Sequence, residues 1–349
     1  MRIPCLWEKL NIDKKWTLVN WCEFDKYAAK SYCAIHGESE SKNLGDITEV
    51  DENCLEDFNL MTWGFPCTDI STAGGQSGFL DEDGNRTRSG MYYEGIRILC
   101  AKKPEISIIE NVKNLVSKKF EKEFSMILSD LDQAGYNSYW KILNAANYGI
   151  PQNRERIFII SIRKDIDNGK FVFPSGFELK TKWANYMDDE VEDSYIFNKS
   201  QYLDFVEKPS GNVVKTLGYM TGRNGRKEKH QSNTVYDTNG LCPTLYAGLY
   251  KDPFRIKQKD KIRKISPKEC FLLMGFSEKD YEKAKNAGVS KSQLYKQIGN
   301  SIVVDIPYYI FKELQIVFPE LFSDLKVSSF FSGIGAFEVA LNRLYKKEH

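Results

Sequence analysis

The chain lacks most of the simple signals that assign a protein to a class. Its 349 residues contain only three His, and the eight Cys (5, 22, 33, 54, 67, 100, 242 and 270) are scattered with no C-x-x-C pair. That argues against a structural zinc site and for a reduced, intracellular protein in which any Cys of importance acts as a thiol. No window approaches the roughly 18 apolar residues of a membrane span. The opening MRIPCLWEKLNIDKKW has no apolar core of signal-peptide length, so no membrane association is expected. Charge of one sign is also missing, since 49 Lys+Arg against 48 Asp+Glu leave +1. A polyanion would therefore have to be held by a local basic patch. There is no internal repeat and no low-complexity tract.

What is present is an ordinary globular composition, 42% hydrophobic and 28% charged, on a chain long enough for a large domain with a smaller companion. WTLVNWCEF (16–24) reads as a strand and DKYAAKSYCAIH as the helix behind it. GDI (45–47) is a short turn, and NLMTWGF (59–65) a second strand. TDISTAGGQSGFLDEDGNRTRSG (68–90) is a polar, Gly-rich loop of a length that compact domains keep for function. MYYEGIRILCAKK then reads as a helix, ISIIENV (106–112) as a buried strand and NLVSKKFEKEFSMILSDLDQAG as one long helix. YWKILNAAN (139–147) and RIFIISIR (156–163) are further strands. Such alternation predicts an α/β fold with a parallel or mixed sheet covered on both faces.

Near residue 165 the pattern changes. Helical periodicity vanishes until about 262, turn signals multiply (PSG, TGRNGR, DTNG, KDPF), and basic runs appear at GRNGRKEKH (222–230) and RIKQKDKIRK (255–264). These are either a solvated loop region or a small module for a polyanion. Helical pattern returns at SPKECFLLMGF (266–276) and SIVVDIPYYIFKELQIVF (301–318).

The C-terminal KVSSFFSGIGAFEVALNRLYKK (326–347) is strand, Gly turn, helix, the usual beginning of a nucleotide-binding sheet. The acidic strand tip such a unit needs next is found instead near the N-terminus, at Glu23. The sheet is therefore expected to close across the termini, as in a circular permutation. LWEKLNI (6–12) even resembles a second copy of VALNRLY (339–345). Glu338 occupies the place of the third Gly in a dinucleotide fingerprint, which counts against a nicotinamide oxidoreductase.

The sharpest chemistry lies in Gly64-Phe65-Pro66-Cys67, a strand running into a Pro-fixed turn with a thiol at its tip. Glu110, at the tip of the next buried strand, would share that crevice and should have a raised pKa. Arg154 and Arg156 are its candidate partners. The alternative for both features is a packed Cys and an ion pair steadying the sheet.

Together these blocks resemble the DNA cytosine-5 methyltransferases that use S-adenosylmethionine, in permuted order and across essentially the whole chain. FSGIGAFE (331–338) resembles the cofactor loop, CEFDKYA (22–28) the ribose-binding strand tip and GDIT (45–48) the adenine segment. GFPC (64–67) resembles the nucleophile block, RSGMYYE (88–94) the helix after the mobile loop and ENV (110–112) the catalytic carboxylate block. YGIPQNRERIF (148–158), RKISPKECFLLMGF (263–276) and YKQIGNSIVV (295–304) resemble the remaining ones. The implied fold is a Rossmann-like methyltransferase sheet, with a catalytic domain of 1–164 and 265–349. A small irregular or β target-recognition domain would occupy 165–264.

The resemblance implies that Cys67 attacks C6 of a flipped-out cytosine, that Glu110 and Arg156 hold the base, and that Arg154 helps hold the site. S-adenosylmethionine would be bound by Phe331, Gly333, Gly335, Glu23, Phe24, Asp46, Ile47, Pro66, Asn300 and Ser301. Contacts to double-stranded DNA would come from Thr68, Ser71, Arg88, Arg223, Arg226, Thr244, Leu245 and Arg263. No metal is implied. The family's usual Gln after the nucleophile is Thr68 here, and VYDTNGLCPTLYAG (235–248) resembles the recognition-loop block. The expected protein is a bacterial or phage, cytoplasmic enzyme, monomeric on DNA, with a separately encoded restriction endonuclease as possible partner. The alternatives are a tRNA cytosine-5 methyltransferase and a catalytically weak DNA-binding subunit.

Overall fold

The structure is a computed structural model that describes residues 15–71, 75–197, 204–221 and 230–346. The resemblance of 6–12 to 339–345, and the proposed contacts of Arg223 and Arg226, lie outside the described residues. Among those residues no helix is long and apolar enough to cross a membrane.

Two sheets organise the chain. The first contains β1 (Lys15–Cys22), β2 (Leu60–Trp63), β3 (Ile106–Val112), β4 (Tyr136–Asn144), β5 (Glu155–Arg163) and, from the far end of the chain, β11 (Asp324–Phe330). Their order in space is β1-β11-β2-β3-β5-β4. The pairings β1–β11, β11–β2 and β2–β3 are parallel, whereas β5 runs antiparallel to both β3 and β4. The sheet is thus mixed, and the last strand of the chain lies between the first two.

The strands are apolar on both faces because helices cover both. In β3 the run Ile106, Ile108 and Ile109 is wholly buried. On the covering helices, α1 (Lys26–His36) starts where Asp25 accepts from the backbone N–H groups of Tyr27 and Ala28, and ends at Gly37, whose φ of 70° suits glycine. α2 (Tyr92–Lys102) sits against the sheet where Gly95 has no side chain. A Cβ there would fall 2.2 Å from the Trp63 ring.

Two boundaries differ from expectation. The long helix predicted after β3 is two short 3-10 turns followed by α3 (Glu121–Gln133), because Ser117 starts a new turn in the middle of that stretch. β4 begins three residues before the predicted 139, since Gly135 at φ 97° reverses the chain at once, and it ends where the Asn144 side chain caps the turn at Ala146.

The second sheet is formed by β6 (Asp204–Ser210), β7 (Thr216–Thr221), β8 (Thr234–Tyr236), β9 (Arg255–Gln258) and β10 (Lys261–Lys264), in the order β10-β9-β8-β7-β6. The chain then returns to the first sheet through α4 (Pro267–Leu273), α5 (Glu278–Asn286), α6 (Lys291–Asn300) and α7 (Asp305–Val317), and closes with α8 (Ala336–Tyr345). α4 starts on a capping box between Ser266 and Glu269. The two sheets share one apolar core: Trp183, Tyr236, Leu245 and Phe254 belong to the same buried cluster as Phe271, Ile298 and Phe158.

Candidate active site and its relatives

Strand register assembles the site. Cys22 pairs with Phe330, Phe330 with Trp63 and Trp63 with Ile109, so the next residues (Glu23, Phe331, Gly64 and Glu110) form a row at the carboxyl ends of four parallel strands. Ligands of open α/β sheets bind in that crevice. β5 runs the other way, so its opening residues Arg154 and Arg156 reach the same edge, and Arg156 pairs with Val112.

On the β1–β11 side the row makes a polar cradle. Phe331, Gly333 and Gly335 take φ values of 54°, 57° and 79°, the left-handed region, which opens the loop before α8. A non-glycine residue held there is strained, a common mark of functional loops. Glu23 binds the loop across the termini: Gly333 N donates to its Oε2 at 2.8 Å, and Asp25 N to its Oε1 at 2.8 Å. Burial pushes the Glu23 carboxyl up, and those two N–H donors pull it back. Asn43 braces the same turn by accepting from Glu23 N and donating to Glu23 O. Beside it, Phe24 presents a ring that is 76% exposed. Asp46 caps the turn at Thr48, Ile47 is buried, and Cys22 Sγ donates to Gly45 O at 3.3 Å, tying this segment to β1. Burial, Glu23 and Asp46 push the Cys22 thiol up to about 12, so it stays a neutral strut.

The β2–β3–β5 side holds the reactive groups. Cys67 is half-buried on the turn after β2, whose geometry is fixed by Pro66 and by Asn111 Nδ2 donating to Phe65 O at 3.1 Å. Glu110 lies against Gly64, where a Cβ would fall 3.5 Å from its Oε2, and pairs with Arg156 Nε at 3.2 Å. Burial raises the Glu110 carboxyl, opposed by Arg156 and Arg154. The Cys67 thiol is raised by burial and by Glu110, and lowered by Arg156 and Arg154. All four groups therefore sense one another, and at rest the thiol keeps its proton.

Arg154 does something different. Its guanidinium is buried and donates to the backbone carbonyls of Leu245 (2.6 Å), Gly299 (3.2 Å) and Ser301 (2.5 Å). Burial, with Arg156 nearby, lowers it to about 9. It is a clamp that joins the Thr244–Leu245 turn to the α6 end carrying Asn300 and Ser301. The approach is close, as a Cβ on Gly299 would lie 2.2 Å from the Tyr246 backbone.

Several of the proposed DNA contacts are corrected by this arrangement. Leu245 is fully buried, its N–H bonded to Gln152 Oε1 and its carbonyl to Arg154. Thr244 Oγ1 donates to Asn153 O at 2.6 Å. This pair ties the 244–245 turn to the 152–154 turn, and the buried Leu245 side chain presents no edge to a base. Arg263, 2% exposed, forms a bidentate pair with the wholly buried Glu269 at 2.9 and 2.6 Å, because its strand position faces α4 instead of solvent. Thr68 and Arg88 are exposed, and Ser71 is half-buried with its N–H donating to Cys67 O.

Sequence reasoning missed the clasp at the loop ends. Asp69 N donates to Ser89 Oγ and Ser89 N to Asp69 Oδ2, both at 3.0 Å. It also missed Gln152, whose amide donates to Leu273 O while its oxygen receives Leu245 N. Neither has a spacing signal, since the partners lie 20 and about 90–120 residues apart.

A family model for C-5 cytosine-specific DNA methylases matches residues 12–316, most of the chain. The chain belongs to that family. This methylase is 35% identical over 295 residues to the Type II methyltransferase M.HhaI of Haemophilus parahaemolyticus, covering 82% of this chain and 84% of that one. It is 36% identical over 274 residues to the Type II methyltransferase M2.ScrFI of Lactococcus lactis subsp. cremoris, covering 78% and 71%. Among solved structures, the Entamoeba histolytica methyltransferase EhMeth aligns with a TM-score of 0.62 at 18% identity, over 90% of this chain and 93% of that one, a likeness of fold. The methylase is thus a DNA cytosine-5 methyltransferase with a mixed α/β methyltransferase fold.

Proposed function

We propose that the methylase modifies one short double-stranded sequence, using S-adenosylmethionine at the β1–β11 cradle and Cys67 as nucleophile. The observation that carries this is the row of Cys67, Glu110 and Arg156 at the tips of β2, β3 and β5, beside the Gly333–Gly335 loop. The cradle suits the cofactor: left-handed backbone lets a ligand approach closely, Glu23 offers a carboxylate for ribose hydroxyls, and the exposed Phe24 ring offers a face for adenine. Asp46 and Ile47 would line the adenine end, and Pro66, Asn300 and Ser301 the opposite wall. S-adenosylmethionine supplies an electrophilic methyl group.

C5 of cytosine is too poor a nucleophile to take that methyl unaided, and inside a duplex it is out of reach, so the base is flipped. Cys67 releases its thiol proton to solvent, a loss that Arg156 and Arg154 ease, and the resulting thiolate adds at C6. Glu110, raised by burial, is suited to hold the N3–N4 edge and place a proton at N3 as electrons move onto C5. Arg156 binds near the base carbonyl. After methylation, the C5 proton leaves to solvent, the S–C6 bond breaks to return the thiolate, and N3 gives its proton back to Glu110, which restores the aromatic base. Loop 68–90 closes over the base to exclude water, with Thr68 in the place of the usual Gln. Arg154 positions the walls and does not touch the reacting atoms.

Residues 165–264, built around the five-stranded sheet, form the recognition domain in this reading, and 1–164 with 265–349 the catalytic domain. The basic runs position phosphates without specifying sequence. The strand order supports a circular permutation, because the Gly loop follows β11 and the matched region ends at 316, before that strand. A monomer acting beside a separately encoded endonuclease completes the proposal. Mapping 5-methylcytosine at base resolution in a host without cytosine methylation, expressing this chain, tests it. Full methylation of one short motif is expected. Unmethylated DNA from soluble, cofactor-binding protein would overturn it.

A further inference from the structure

A cavity of about 70 Å³ lies between β1, α1 and α8, lined mainly by Trp16, Tyr32, His36, Glu38, Glu338 and Asn342. None of these residues belongs to the site above. Glu338 is 1% exposed, and neither of its carboxylate oxygens has a hydrogen-bond partner. The buried Tyr32 hydroxyl lies close enough to interact with it but makes no well-aligned hydrogen bond, and its ring is fixed by stacking on Trp21 at 4.2 Å. A buried carboxylate without a donor is costly. Glu338 lies in the first turn of α8, whose dipole favours negative charge there, but the dipole brings no donor into the cavity.

The other walls bring it no positive charge. Trp16 Nε1 is used by Asn342 Oδ1 at 3.2 Å, and Glu38 is paired with Lys42 at 3.0 Å. His36 Nε2 lies 3.1 Å from Ile334 O, which can only accept, so that nitrogen carries the hydrogen. Burial holds His36 below its ordinary value, so the ring is neutral and its other nitrogen is an acceptor. The cavity therefore sets Glu338 among neutral groups, with the Tyr32 hydroxyl and the Asn342 Nδ2 amide as its donors, and a cation is the ligand that would balance its charge. Among the described residues no three His, Cys, Asp or Glu side chains converge as a transition metal would need. One water needs about 10–15 Å³ of such space, so there is room for a small ion together with several waters.

We propose that Glu338 and the Tyr32 hydroxyl form a site for a monovalent cation of potassium or ammonium size, and that its occupancy steadies the cofactor loop. The link is direct: His36 holds Ile334 O, and Gly335 packs so closely that a Cβ would lie 2.1 Å from His36 Nε2. Only this coupling, not the site, rests on the cofactor reading above.

Crystals of the full chain soaked in rubidium chloride should show an anomalous peak at Glu338. The wild-type melting temperature should be several degrees higher in potassium or ammonium chloride than in choline chloride of equal ionic strength. That difference should vanish in Glu338→Gln and shrink in Tyr32→Phe, which keeps the test open if the first variant folds poorly. S-adenosylmethionine should bind several-fold more tightly in potassium than in choline. Ordered water in place of the peak, with melting indifferent to the ion, overturns the site. An ion effect that persists in both variants overturns it equally. A peak with unchanged cofactor affinity overturns the coupling. Absence of cofactor binding in every salt, with the peak present, would instead fail the methyltransferase reading.

Discussion

Replacing Arg154 by Met separates positioning from chemistry, because the stem is kept while the charge and its three donors go. In the wild type those donors hold the carbonyls of Leu245, Gly299 and Ser301 at 2.6, 3.2 and 2.5 Å. Hydrogen bonds from a charged donor are worth about 1.5–3 kcal/mol each, giving a gross loss of about 5–9 kcal/mol. Part of that is offset, since the variant no longer buries a guanidinium, a cost visible in its lowering to about 9. A net loss of about 3–5 kcal/mol remains, as for other broken buried charge networks. At roughly 2 °C per kcal/mol for a chain of this size, melting should fall by about 5–10 °C. Scanning calorimetry should be paired with cofactor titration, because the loosened Asn300–Ser301 wall should also weaken cofactor binding. Arg156→Met is the comparison: it should lose turnover, with melting falling less than in Arg154→Met because Glu110 can take up a proton when its partner goes. If Arg154→Met melts within about 1 °C of wild type yet is inactive, Arg154 acts on the reacting base and the clamp reasoning is wrong.

Cys67→Ser should abolish methylation while cofactor affinity, measured by calorimetric titration, stays within about two-fold; retained methylation would remove Cys67 from the chemistry. Glu23→Gln puts an amide where two backbone N–H groups now donate, so cofactor affinity should drop by at least ten-fold, about 1.4 kcal/mol, with turnover at saturation less affected. Alkylation of Cys67 by iodoacetamide, followed by peptide mass mapping, reads the thiol's ionisation. Burial and Glu110 raise it and Arg156 lowers it, so the alkaline rise in rate should move to lower pH in Glu110→Gln and to higher pH in Arg156→Gln. Shifts of the opposite sign would refute the electrostatic account. Gly299→Ala should destabilise more than a helical Gly→Ala exchange can stabilise, since its Cβ meets Tyr246 backbone at 2.2 Å, and equal or higher melting would show that the turn gives way.

The row of Cys67, Glu110 and Arg156 was legible as a cluster because it depends on strand ends. ISIIENV reads as a buried strand from its Ile residues alone, and β3 occupies those seven residues, placing Glu110 where the sequence put it. The Gly333–Gly335 turn was legible for a similar reason, since left-handed backbone before a helix selects glycine. The recognition side was much less so. Arg263 sits in a basic run and reads as a phosphate contact, yet alternation along β10 turns it toward Glu269, a partner that only the return through α4 supplies. Thr244–Leu245 reads as a recognition element, and only the fold shows the Leu245 N–H and carbonyl taken by Gln152 and Arg154, and the Thr244 hydroxyl donating to Asn153 O.

Those two misplaced contacts point to how the halves of the molecule communicate. Arg263–Glu269 fastens the second sheet to α4, and Arg154 fastens the Thr244–Leu245 turn to the end of α6. Both ties use a buried arginine whose loss leaves polar groups unpaired, so neither joint can slide by small amounts at low cost. A recognition surface mounted on such joints moves with the Asn300–Ser301 wall. Loop 68–90 is held at its base by the Asp69–Ser89 clasp and by Asn114 on Ile70 O, and further along by buried Phe79 stacked on Tyr92 and by Arg86 paired with Glu94. In the proposed reading, rigid mounting of the reader is what base flipping needs: DNA is held in one register while a single nucleotide leaves the stack.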